Sequence, residues 1–236
     1  MLNIQLPDVP WRDTVLEFEP RVTRGNHIGQ PPPGERLAGR MRIGGPVCIP
    51  ITLEWVGDDQ ELRRMLMAEA HDYNYSLVHL ASTFQPQEDE TFDKAWVQIQ
   101  LECVDGGDIP MPIAWSMTPA KISQPVTFST GVSVGASLKF VHIDGSFERN
   151  LERDAIFLEA LNELRYDPVW EFSRTAKSDL RGSQRLVMVV RAPKAATVRG
   201  HLHLKATIIK HRFLKAFSYR VLFPDDTENP TFNLPK

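Results

Sequence analysis

The chain has 236 residues, of which 42% are hydrophobic, 24% charged and 9% aromatic, with a formal charge of −3. Five Trp, 12 Phe and many β-branched residues can offset the ordering entropy of a packed core, which excludes a disordered chain. The longest aliphatic run, Leu186–Val190, falls far short of the roughly 20 apolar residues a transmembrane helix needs.

Residues 1–45 read as extended and loop-rich. Leu2, Ile4 and Leu6 alternate with polar residues, 15–18 has strand composition, and Pro31-Pro32-Pro33-Gly34 is a break, since proline fixes φ and removes a ladder donor. Val47, Ile49, Ile51, Leu53 and Trp55 then recur at period two, the pattern of a half-buried strand. The clearest helix follows: Asp58 with Glu61 fits a capping box, Leu62, Met65, Leu66 and Glu69 fall on helical spacing, and an end is expected at 72–74. Residues 75–84 and 94–104 return to strand. In the second of these Ala95, Val97, Ile99, Leu101 and Cys103 face one way, and Lys94, Gln98, Gln100 and Glu102 the other. Asp105-Gly106-Gly107-Asp108 is a turn, and 111–117 is a short strand before Pro119.

The longest pattern occupies 126–140. Val126, Phe128, Val132, Val134, Ala136, Leu138 and Phe140 share one parity and small polar residues the other, over about three times the usual strand length. A second helix is expected over 154–165, with Phe157, Leu161 and Leu164 on one face. Residues 169–172 and 186–191 read as strands, the latter buried. Residues 198–209 alternate again, with Leu202, Leu204, Ala206 and Ile208 opposite His201, His203, Lys205 and Thr207. Residues 217–223 close the core before a loose tail at 224–236. About ten strands with few helices between them predict a mainly β fold: a two-layer antiparallel β-sandwich with one or two peripheral helices, in one globule over 1–236 with a seam near 119–125.

Motifs that carry chemistry are sparse. The chain has no GxxxxGK[ST] loop, GxGxxG, HExxH or CxxC. Gly131-Val132-Ser133-Val134-Gly135 has the glycine spacing of a nucleophile elbow, but its flanks continue as strand where an elbow must turn into a helix. Cys48 and Cys103 lie in apolar runs without metal-ligand spacing, so they read as reduced thiols. With no secretory signal in MLNIQLPDVP, they point to the cytoplasm.

Charge is unevenly placed. Between Lys194 and Arg220 lie seven Lys or Arg, three His and no acidic residue, a stripe that suits an anionic ligand, an anionic membrane surface or an acidic partner. His201 and His203 project from one strand face about 7 Å apart, the spacing of two zinc ligands. Lys205 shares that face and no acid is nearby in the segment, so a polar strand face is the better reading and no metal or cofactor is assigned. Trp96 has the outward parity of its strand, where an aromatic ring can stack on a ligand.

These observations predict a non-enzymatic cytoplasmic binding or assembly module within a larger complex. It would engage a protein partner through sheet edges and a basic face built from Trp96, His201, His203, Lys205, Lys210 and Arg212. Three alternatives remain. One is a membrane-associating or β-pore-forming effector that uses Phe128, Val132, Val134, Leu138 and Phe140 in 126–143. The second is a metal-dependent hydrolase around His201 and His203, and the third a nucleic-acid binder using the basic stripe, the less expected partner class.

Overall fold

Period-two alternation, repeated along the chain, gives a strand-dominated molecule. The computed structural model describes residues 2–4, 15–18, 21–26, 37–56, 60–106, 109–123, 136–138, 156–212, 215–223 and 230–235. In chain order its elements are β1 (Leu2–Ile4), β2 (Val15–Phe18), β3 (Arg21–Asn26), β4 (Arg40–Pro50), α1 (Gln60–Glu69), β5 (Tyr73–Gln85), β6 (Glu90–Cys103) and β7 (Ile113–Thr118). There follow β8 (Lys121–Ile122), β9 (Ala136–Leu138), β10 (Leu158–Leu161), β11 (Val169–Ser173), β12 (Gly182–Pro193), β13 (Val198–Arg212), β14 (Lys215–Phe223) and β15 (Thr231–Asn233).

Two antiparallel sheets form a sandwich. The larger runs β3-β14-β13-β6-β11-β10-β8, with β15 pairing β13 off this path; the smaller runs β2-β4-β5-β12-β7, and β1 pairs β9 separately. The inward parities meet between the sheets. Ala95, Val97, Ile99 and Leu101 of β6 and Leu202, Leu204 and Ile208 of β13 join Met41, Val78, Leu80, Leu186, Met188 and Val190 in one apolar cluster. Phe84 and Phe172 bridge the layers with ring centroids 4.9 Å apart.

Helix α1 lies on the opposite face of the smaller sheet, where Leu62 and Leu66 bury against Tyr75, Leu77, Val187 and Val189. Where β5 and β12 run beneath the helix the smaller sheet is dry on both sides, which accounts for the unbroken apolar run Leu186–Val190. Polar contacts fix the helix end. The Tyr75 hydroxyl donates to Glu69, Lys194 Nζ donates to the Ala70 carbonyl at 2.9 Å, and the Arg191 guanidinium lies 4.1 Å from the Tyr73 ring centroid. Burial first, and then the bond to Glu69, pushes the Tyr75 phenol above its ordinary value.

Several expectations need revision. Of the second helix expected over 154–165, the described residues 156–165 form none: Leu158–Leu161 is a strand between β8 and β11, and of the presumed apolar stripe only Phe157 is buried. Cross-strand pairing on both sides outweighs a weak helical spacing. In the region before residue 45 the strand expected at 15–18 is present as β2, and the strand expected from Val47 begins earlier, at Arg40, with a register shift between Gly44 and Val47. The strand expected to reach Trp55 stops at Pro50, and 53–56 form a turn that packs with α1. The tail is not loose throughout, because β15 pairs β13 and Phe232 seats over Gly200, where a Cβ would overlap its ring. The helix ends at Glu69, before the expected 72–74.

The edges are tied together. β2 and β7 end the smaller sheet, β3 and β8 the larger, and only two residues separate β2 from β3 and β7 from β8. At each margin the chain steps directly from one sheet to the other. Beside β7 the 162–165 turn supplies further bonds: Ala114 N–H donates to the Arg165 carbonyl at 2.9 Å, Leu164 N–H to the Ala114 carbonyl at 2.8 Å, and Met117 N–H to the Glu163 carboxylate at 3.1 Å. That edge is thus blunted against further pairing.

Candidate functional site

The outer face of the larger sheet gathers most of the residues singled out in the sequence. On β6 the side chains of Lys94, Trp96, Gln98, Gln100 and Glu102 point away from the core, and on β13 those of His201, His203, Lys205 and Thr207 do. Antiparallel register sets them in rows. Trp96 stands between Glu171 of β11 and Lys205, Gln98 between Val169 and His203, and Gln100 opposite His201. Trp96 is half-buried, with Lys94 Nζ 6.0 Å from its ring centroid and bonded to Glu171 at 3.0 Å. Lys205 is exposed beside it.

His201 donates through Nε2 to Glu102 at 2.7 Å, so the neighbouring strand supplies the carboxylate that its own segment lacks. Among the described residues no group of three or more His, Cys, Asp or Glu side chains is placed to hold a metal ion. The arrangement offers an indole surface, two imidazoles and alternating charges on one sheet face, which suits stacking and ion pairing with an extended ligand.

Other singled-out residues are not part of this face. Lys210 is only 8% exposed and has the inward parity of Ile208; its ammonium lies 3.4 Å from the buried Glu90 carboxylate and 3.5 Å from Asp89. Alternation continues past Ile208, so a lysine at 210 must turn inward, and Glu90 is what makes that tolerable. Arg212 ends β13, and its side chain lies outside the described residues. Phe128, Val132, Val134 and Phe140 also lie outside them, while Leu138 falls in β9, with its backbone opposite Leu2. Trp170 is fully buried in the core, and Trp115 packs edge-on to Tyr75 at 6.0 Å on the helix-covered face.

A second surface was not visible in the sequence. Asn162 and Leu164 adopt left-handed φ values of 62° and 63° in the turn joining β10 to β11. Asparagine tolerates that conformation, but leucine there carries a cost of roughly 1–2 kcal/mol because of its Cβ. The turn is fixed from several directions: Asn162 Nδ2 donates to the Asp167 carbonyl at 3.1 Å, Arg165 Nε pairs with Asp167 at 3.0 Å, and the backbone bonds to β7 complete it. Leu161, Leu164 and Tyr166 project outward. With Met111 and Val104 they make five of the six exposed large apolar side chains among the described residues, each 38% to 48% exposed. The sequence signal was present as apolar residues at 161, 164 and 166, but it reads equally as a helix stripe.

Elsewhere, burial is the first cause that lowers the His79 pKa, followed by the charge of Arg185. Burial also pushes the Cys48 thiol up to about 12, so Cys48 carries little thiolate at neutral pH. Both cysteines are unpaired, and no helix among the described residues is long and apolar enough to cross a membrane. No family model, curated protein or solved structure matches the chain.

Proposed function

We propose that this chain is a non-enzymatic binding and assembly module of a cytoplasmic complex, and that it takes an acidic, extended segment of a protein partner on the outer face of the larger sheet. One observation carries the reading: Trp96, an outward aromatic residue, stands in register with Lys205 and Glu171, with Lys94 above its ring. The indole holds the apolar part of a peptide, while Lys205 on one side of it, and Lys94 shared with Glu171 on the other, pair with the peptide's carboxylates. His201, His203 and Gln98 extend the same face along the strands. The blunted β7 edge directs recognition to this face rather than to strand addition there. Two unpaired cysteines fit a reducing compartment.

The test is affinity purification of the full chain from cells that naturally make it, at low and high salt, compared with Trp96→Ala and Lys205→Glu. A partner that is retained by the wild type, shed at high salt and lost from both variants is the expected result. The same set of proteins on all three baits, or none on the wild type, overturns the proposal. Thermal melts of the variants separate lost binding from lost folding.

A further inference from the structure

We infer that the acidic segment taken by the outer face of the larger sheet carries a phosphorylated side chain, whose phosphoryl group seats at Arg220 and Thr207 beside Arg24 and Lys205. The inference rests on the partner-binding reading and names the chemistry of the partner's anion.

Register makes the place contiguous. One row across four adjacent strands reads Arg24 of β3, Arg220 of β14, Thr207 of β13 and Lys94 of β6. The next row reads Arg21, Leu222, Lys205, Trp96 and Glu171. A register shift between Arg220 and Val221 brings positions 21 and 24, an odd number apart, onto the same face. Neighbouring strands lie about 4.8 Å apart and same-face residues of one strand about 7 Å apart, so the positions of Arg21, Arg24, Arg220 and Lys205 fall within roughly 10 by 7 Å.

Charge selects the occupant. Neither β3, β13 nor β14 contains an Asp or Glu, so none of the three strands brings an acid to its own cations. Arg24 and Arg220 stand directly opposite each other, which costs stability between like charges and which a shared anion reverses. The nearest glutamates of this face are engaged elsewhere, Glu171 with Lys94 at 3.0 Å and Glu102 with His201 at 2.7 Å. An extended peptide turns one side chain towards a sheet about every 7 Å, hence about one or two carboxylates over this patch, too few for four cations. A phosphoryl group carries a charge of about −1.5 to −2 on three oxygens and meets two guanidiniums and the Thr207 hydroxyl at once. From Trp96 to the midpoint of Arg220 and Thr207 is roughly 10 Å, about three residues of extended chain. The residue that stacks on the indole therefore lies three positions from the phosphorylated one.

Fluorescence anisotropy on the full chain tests this with a labelled peptide rich in glycine and glutamate that carries one leucine and, three positions on, a phosphoserine. The same peptide with glutamate in place of the phosphoserine is the control. The wild type is expected to bind the phosphopeptide at least about tenfold tighter than the control. Arg220→Lys keeps the charge but loses the guanidinium fork, and should cut that ratio to about two or less. Lys205→Ala lowers the ratio at least about twofold and covers the case in which the Arg220 variant fails to fold. Trp96→Ala weakens both peptides alike and leaves the ratio. A ratio near one in the wild type, or a full ratio in both Arg220→Lys and Lys205→Ala, overturns the inference while the partner-binding reading stands. No binding of either peptide overturns both. An oligothymidylate that binds more tightly than the phosphopeptide overturns the inference in favour of a nucleic acid.

Discussion

Glu90 is buried at the start of β6, and its carboxylate accepts the amides of Ala38 and Gly39 while facing Lys210 Nζ at 3.4 Å. Those bonds hold the chain entering β4 against the larger sheet, and a Cβ on Gly39 would come within 2.9 Å of the carboxylate. Glu90→Ala takes the fully buried carboxylate away from a buried ammonium, and the Asp89 carboxylate 3.5 Å away is more exposed, so the cost is about 3 kcal/mol. Urea unfolding is expected to show that loss, and Glu90→Gln combined with Lys210→Met to recover part of it. His79 gives a pH signature. Its folded pKa lies below the ordinary value, so the unfolded chain takes the proton more readily. The contribution is whole above about pH 6.5 and is lost as pH falls from there towards the folded value. Melting temperatures between pH 7.5 and 5 should therefore fall less steeply for His79→Gln than for the wild type; equal slopes would refute the assignment. At this scale the sequence conveyed parity but not partners. Lys210 was legible as a basic residue in a strand, whereas its acid lies 120 positions away and only the fold joins them.

Among the elements, β15 depends on one missing side chain. Phe232 lies where a Cβ at Gly200 would be, so Gly200→Ala is expected to displace β15 and to open 230–235 to limited proteolysis. Phe232→Ala in the same chain should restore room at Gly200 without restoring protection. An unchanged cleavage pattern in Gly200→Ala would show that the contact does not hold the strand. Strands whose apolar residues alternate over many positions, such as β6 and β13, were readable because one parity must be dry and the other wet. β10 was not, because Phe157, Leu161 and Leu164 fit a helical stripe as well as they fit a short strand followed by a strained turn. Nothing in residue identity announces a leucine with positive φ. The closeness of 162–165 to β7 is equally silent, since it arises from backbone bonds between segments some fifty residues apart.

For the whole molecule, alternation together with frequent Pro and Gly breaks was sufficient to indicate a sandwich, since strands this numerous must bury one face each against another layer. Part of the candidate site was also legible. Trp96, His201, His203 and Lys205 share a face because period two and antiparallel pairing leave them no other arrangement. The basic run from Lys194 to Arg220 did not survive as a single patch, for the same alternation sends Lys205 outward and Lys210 inward. A linear charge run in a strand is a surface run only at half its positions. The two-residue steps between β2 and β3 and between β7 and β8 have a mechanical consequence. With a seam at both sides, the two layers are joined at both margins and are not free to swing apart like the covers of a book. What holds the layers lies at their margins and between them, so a substitution on the outer face of the larger sheet changes the surface without disturbing what keeps the chain folded.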